Sequence, residues 1–84
     1  MPACRYALGE EAVHAFAHLR VKQRGKLLRF FDLLTRQPFQ AGDYCETGAL
    51  GRSYELKLID DVLVTWWVDH AVREIRIVRI ELID

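Results

Sequence analysis

Eighty-four residues, 51% of them hydrophobic, supply one small core and not two, so residues 1–84 are expected to form a single domain and not a disordered tail. No apolar run reaches the roughly 18 residues of a membrane span, and Arg5 precedes no signal-peptide apolar core, so a cytoplasmic protein is expected. Twelve Lys/Arg balance twelve Asp/Glu, but unevenly: residues 1–42 carry a net +4 and residues 43–84 a net −4. Such asymmetry can mark a nucleic-acid or charged-partner surface, or basic helices lying over an acidic sheet rim. Cys4 and Cys45 lie far apart, form no CxxC and are expected to be plain buried or semi-buried thiols.

In chain order, Cys4–Leu8 is a short candidate strand. Gly9, Glu10 and Glu11 then open a helix over about residues 9–19, since acids complement the positive end of its dipole. Ala12, Phe16 and Leu19 recur along it at helical spacing. Arg20–Gly25 reads as a polar, basic interruption. From Lys26 a second helix carries Leu27, Phe31 and Leu34 at a 3.6-residue period, broadened by Leu28 and Phe30, and stops before Pro38. A loop is expected from Gly42 to about Ala49.

The period then changes. Within Arg52–Ile59, Tyr54, Leu56 and Leu58 alternate with Ser53, Glu55 and Lys57, the pattern of a half-buried strand. Asp60-Asp61 marks a turn. Val62–Val68 is dense in β-branched and aromatic residues and predicts an interior strand, and Glu74–Ile83 predicts the last. Two short turns between three strands imply an antiparallel meander, with the helical hairpin covering one face. The expected fold is therefore α+β in the order βααβββ. Tyr54, Leu56, Leu58, Val64 and Phe31 are expected in its core.

Two stretches carry a family likeness: "LRVKQRGKLLRFFDLLTRQPF", a helix closed by Pro, and "GRSYELKLIDDVLVTWWVDHAVREIRIVRIEL", a three-stranded meander. Together with the first strand and helix they resemble the RelE/ParE superfamily of type II toxin–antitoxin toxins over nearly the whole chain. The resemblance implies growth inhibition, through mRNA cleavage or DNA gyrase, and neutralisation by a cognate antitoxin. It places basic residues at Arg52 and Lys57 on the first meander strand and at Arg79 on the last. Val62-Leu63-Val64 stands where the family often has an Arg, and the sequence ends at Asp84 without the family's usual aromatic or basic C-terminal extension. These departures lean against nuclease chemistry. A diverged, non-catalytic interaction module on the same fold is the alternative.

Metal-free RNA cleavage needs a proton acceptor, a proton donor and positive charge for phosphate. If this chain cuts RNA, Arg52, Lys57 and Arg79 would hold phosphate and His70 would transfer a proton. His70, in the turn "VDHAVRE", is otherwise a turn histidine paired to Asp69 or capping a backbone group. The sheet face opposite the helices is expected to bear Glu55, Lys57, Thr65, Trp67, Asp69, Arg79 and Glu81, among Leu63, Ile75 and Ile77. Three acids against two bases cradle phosphate poorly. An apolar patch with mixed charge instead points to a protein partner or a homodimer, with Trp67, Leu63, Ile75 and Ile77 as contacts. Trp66 and Trp67 point to opposite faces, one of them into the core.

Arg20, Lys22, Arg24, Lys26 and Arg29 form an acid-free basic run, the best footprint for an anionic partner, ribosome or RNA, or else a solvated inter-helix loop. His14 and His18 share a helix face at i, i+4, but no third ligand follows at metal-site spacing, so no metal is expected. No GxGxxG, P-loop or nucleophile elbow occurs, so no cofactor is expected either.

Overall fold

Arg5–Leu8 (β1) lies parallel to Glu74–Leu82 (β5), pairing Tyr6 with Ile75 and Leu8 with Ile77. A crossover must therefore separate β1 from the rest of the sheet, and the helical hairpin supplies it. The computed structural model describes residues 4–48 and 50–83. After β1 come Glu10–Ala17 (α1), Val21–Arg36 (α2), Tyr44–Thr47 (β2), Ser53–Ile59 (β3) and Val62–Asp69 (β4), ahead of β5. The strands form one five-stranded sheet in the order β1-β5-β4-β3-β2, antiparallel except at β1–β5. The α+β class, the hairpin and the meander are those expected from the sequence. β2 is an addition to that expectation, and Ala49, at the end of the expected loop, lies outside the described residues.

The second helix begins at Val21 and absorbs the basic segment that the sequence presents as an interruption. Its start is held by side chains. Gln23 Oε1 accepts the Arg20 backbone N–H at 2.8 Å, and Arg24 Nη1 donates to the Leu19 carbonyl at 2.8 Å. Lys, Arg and Gln are good helix formers, so a polar run can be helical once its end is satisfied. The helix is moored to the β3–β4 turn as well. Gln23 Nε2 donates to Asp61 Oδ1 at 3.2 Å, Lys26 pairs with Asp60, and an Arg20 guanidinium nitrogen lies 4.0 Å from Asp61. Basic helix and acidic turn thus neutralise each other within the molecule. Asp60 is left-handed at φ 55°, a conformation Asp tolerates in tight turns.

The core lies between the hairpin and the β5–β4 part of the sheet. Leu27, Phe31 and Leu34 of α2 meet Val62, Val64 and Trp66 of β4 and Ile75, Ile77 and Ile80 of β5, with Ala12 and Leu19 from the first helical segment. Phe30 meets the Trp66 ring edge-on at 5.2 Å, and Tyr6 packs on Phe31 at 5.1 Å. Phe31 and Val64 are buried as expected.

Tyr54, Leu56 and Leu58 are not core residues: the first two are half-buried and Leu58 is 42% exposed. Cross-strand partners share a face. Leu56 pairs with Thr65 and Leu58 with Leu63, whereas the buried Val64 and Trp66 pair with Lys57 and Glu55. The apolar stripe of β3 therefore lies on the face away from the helices, and Glu55 and Lys57 lie on the helix side. Ile75 and Ile77 also change sides from expectation. They pair with Val68 and Trp66, are fully buried, and cannot serve as partner contacts. A register shift at Thr65/Trp66, which leaves Val78 unpaired, helps to conceal these faces from simple alternation.

β2 is a four-residue edge strand, exposed throughout, joined to β3 with Tyr44 opposite Leu56. Gly42 allows that approach, because a Cβ there would run into the Leu56 carbonyl oxygen. Asp43 then accepts the Leu58 N–H at 3.1 Å. Cys45 on this strand is exposed and Cys4 half-buried, so only Cys4 is as expected.

Candidate functional site

The face away from the helices joins β4 and β5 residues to the apolar side of β3. Leu63, Thr65 and Trp67 alternate along β4, opposite Glu81, Arg79 and Arg76. Trp66 and Trp67 divide as alternation requires, Trp66 fully buried and Trp67 half-buried on the open side.

Trp67 is the centre of the cationic part of this face. The Arg52 guanidinium lies 3.8 Å above its ring centroid and that of Arg76 at 5.7 Å. A flat guanidinium on a flat indole keeps its outward N–H donors available. Arg76 spends its charge on Asp69 at 3.7 Å and Glu74 at 3.3 Å. Arg5 also pairs with Glu74, at 3.3 Å. Arg52 has no carboxylate partner among the described residues. Arg52 and Trp67 stand out singly in the sequence. Their stacking, and the part played by Arg76, depend on register.

An open cleft of about 510 Å³ borders this cluster, between the chain leaving α2, the start of β3 and the end of β4. Phe39, Gln40, Leu50, Arg52, Trp67 and His70 are among the residues that line it. His70 does not pair with Asp69. Asp69 accepts the Ala71 N–H at 3.2 Å, and the His70 ring stacks on Phe39, centroids 5.3 Å apart and planes 15° from parallel. Phe39 is 83% exposed. The Gln40 Oε1 atom is buried in the cleft region without a hydrogen-bond partner. Phe39 and Gln40 were missed in the sequence. An aromatic residue directly after the helix-ending Pro38 is the signal that could have raised Phe39.

The other expected residues are dispersed. Lys57 is on the helix side, 3.5 Å from Asp43. Arg79 is on the open face beside Glu81 at 4.0 Å. Of the four candidates for chemistry, Arg52 and His70 share the cleft while Lys57 and Arg79 do not line it. Of the basic run, Arg20, Arg24 and Lys26 are engaged in holding the hairpin, and Lys22 and Arg29 are exposed. On the helix side of β2, partial desolvation and the neighbouring Glu55 carboxylate push the Cys45 thiol above its ordinary pKa. Glu55 also accepts the Gly42 N–H at 2.9 Å.

No protein-family model matches the chain, and no curated protein matches it. Solved structures do. A chain of the toxin–antitoxin complex RelBE2 from Mycobacterium tuberculosis superposes with a TM-score of 0.78 at 14% identity, covering 98% of this chain and 99% of that one. The protein has the RelE-type toxin fold. A chain of the archaeal RelE–RelB complex from Pyrococcus horikoshii agrees, with a TM-score of 0.77 at 18% identity and 98% and 96% covered. Among the described residues, no helix is long and apolar enough to cross a membrane.

Proposed function

We propose that this chain is the toxin half of a type II toxin–antitoxin pair, working in the cytoplasm, and that it arrests growth by engaging RNA of the translation apparatus. The observation that carries the reading is the fold: over almost its full length it matches chains from two toxin–antitoxin complexes. A cognate antitoxin of RelB type is the partner this implies, and the open face suits one. Leu58, Leu63 and Trp67 give it apolar area, and Arg52, Arg76 and Arg79 alternate with Glu74 and Glu81 around them. The cleft with Arg52 and His70 is the end directed at RNA. It acts by binding in preference to cutting, because Lys57 is paired to Asp43 on the other side of the sheet and the basic residues needed for metal-free cleavage are not gathered.

The dispersal of those four residues favours a second reading, a diverged, non-catalytic interaction module on the toxin fold that contacts another protein or a second copy of itself. Induced expression in a bacterial host, following growth and total mRNA integrity, separates the two. The first reading expects growth arrest with mRNA largely intact, relieved by co-expression of the antitoxin. Arrest with robust mRNA cleavage that Arg52→Ala, Lys57→Ala, His70→Ala or Arg79→Ala abolishes would restore the nuclease. Unimpaired growth would favour the interaction module.

A further inference from the structure

We propose that the cleft holds one unpaired base of single-stranded RNA against the Phe39–His70 stack, with Arg52 taking the adjacent phosphate. This assignment of residues rests on the RNA-directed reading above.

Phe39 is the first observation. A ring 83% exposed gains little from folding, yet it lies nearly parallel to His70 with a face left open. Two flat rings prearranged in this way form a stacking platform, and a base has a π-face of matching size. Arg52 is the second. Among the described residues Arg52 has no carboxylate within 4.0 Å, and of the basic side chains that share this, Lys22, Arg24, Arg29, Arg36 and Arg73, none lines the cleft as Arg52 does. Trp67 fixes the plane of its guanidinium, so the donor fork is oriented before a phosphate arrives. The third is the space between them. About 510 Å³ accommodates a nucleotide-sized ligand, within the usual range of about 300–1,000 Å³ for ligand pockets. Glu55, the one acid among the described lining residues, is engaged by the Gly42 N–H.

The two contacts differ in what they respond to. Stacking is insensitive to salt, whereas the Arg52–phosphate contact releases counterions. The test is fluorescence anisotropy of labelled oligoadenylate and oligouridylate hexamers over a range of salt concentrations. Phe39→Ala is expected to weaken binding by about 5- to 100-fold with the salt slope unchanged. Phe39→Tyr is expected to retain affinity. Arg52→Ala is expected to weaken binding to both oligomers alike and to lower the slope by about 0.7. Phe39 and Arg52 are exposed, so these variants keep the fold. Equal affinity of Phe39→Ala and the unaltered chain, or no binding of either hexamer by the unaltered chain, overturns the proposal. Growth arrest by a chain whose RNA affinity ignores Phe39 leaves the toxin reading standing without the clamp. Clamp-dependent binding by a chain that does not arrest growth leaves the clamp standing without the toxin.

Discussion

The two halves of the sheet are built differently. The inner half, β1, β5 and β4, lies under the helices and supplies every fully buried strand residue, from Val62 and Trp66 to Ile75 and Ile77. The outer half, β3 and β2, contributes only Ile59 to the edge of that core. What holds it is pairing with β4 and a set of polar ties: Asp43 to Lys57 and Leu58, and Glu55 to Gly42. Stability resides in the inner half. The outer half carries the apolar stripe, one wall of the cleft and, at the start of β3, an arginine with no carboxylate partner among the described residues, so it can present a surface while adding little to the core.

Removing comparable side chains from each half should have very different effects. Ile77→Ala should cost about 2–5 kcal/mol, because it opens a cavity in a fully buried site. Leu56→Ala should cost about 1 kcal/mol, since its half-buried side chain leaves no enclosed void. Urea midpoints measure both, and equal losses would show that β3 belongs to the core after all.

A smaller effect should be confined to the outer half. Gly42→Ala forces a Cβ against the Leu56 carbonyl oxygen and should destabilise by about 1–3 kcal/mol. Hydrogen exchange should show β2 and β3 amides losing protection first, with the β4–β5 ladder retaining it. Uniform loss across all strands would mean that the halves unfold as one.

The mooring of α2 tests the inner half again. Gln23→Ala loses the acceptor for the Arg20 N–H and the bond to Asp61, and should cost about 1 kcal/mol. Arg52→Ala, on the outer half, should change stability by no more than about 0.5 kcal/mol. Thermal midpoints that fall as far for Arg52→Ala as for Gln23→Ala would make Arg52 a structural residue.

The smallest effect concerns Cys45 on the edge strand. Its pKa is raised, so the reactive thiolate forms only at higher pH than for a free cysteine. Alkylation followed against pH should rise late, and Glu55→Gln should move the rise to lower pH. An unchanged profile in that variant would remove Glu55 as a cause.

Much of the fold is local and can be read along the chain. The 3.6-residue recurrence of Leu27, Phe31 and Leu34, the alternation in Ser53–Ile59, and the turn at Asp60-Asp61 each follow from the chemistry of neighbouring residues. Periodicity gives the two sides of a strand but does not say which side meets the helices. The pairing of Leu56 with Thr65 and Leu58 with Leu63, and the register shift at Thr65/Trp66, decided that, and they turned the apolar stripe of β3 outward and Ile75 and Ile77 inward. β2 was hidden for a related reason: four exposed residues have no pattern of their own and become a strand only because β3 offers an edge. The candidate site shows the same division. Arg52, Trp67 and His70 stand out as residue types, but their grouping with Phe39, and the dispersal of Lys57 and Arg79, come from strand register and from the path of the chain after Pro38. Those are contacts between segments distant in sequence, which local composition does not encode.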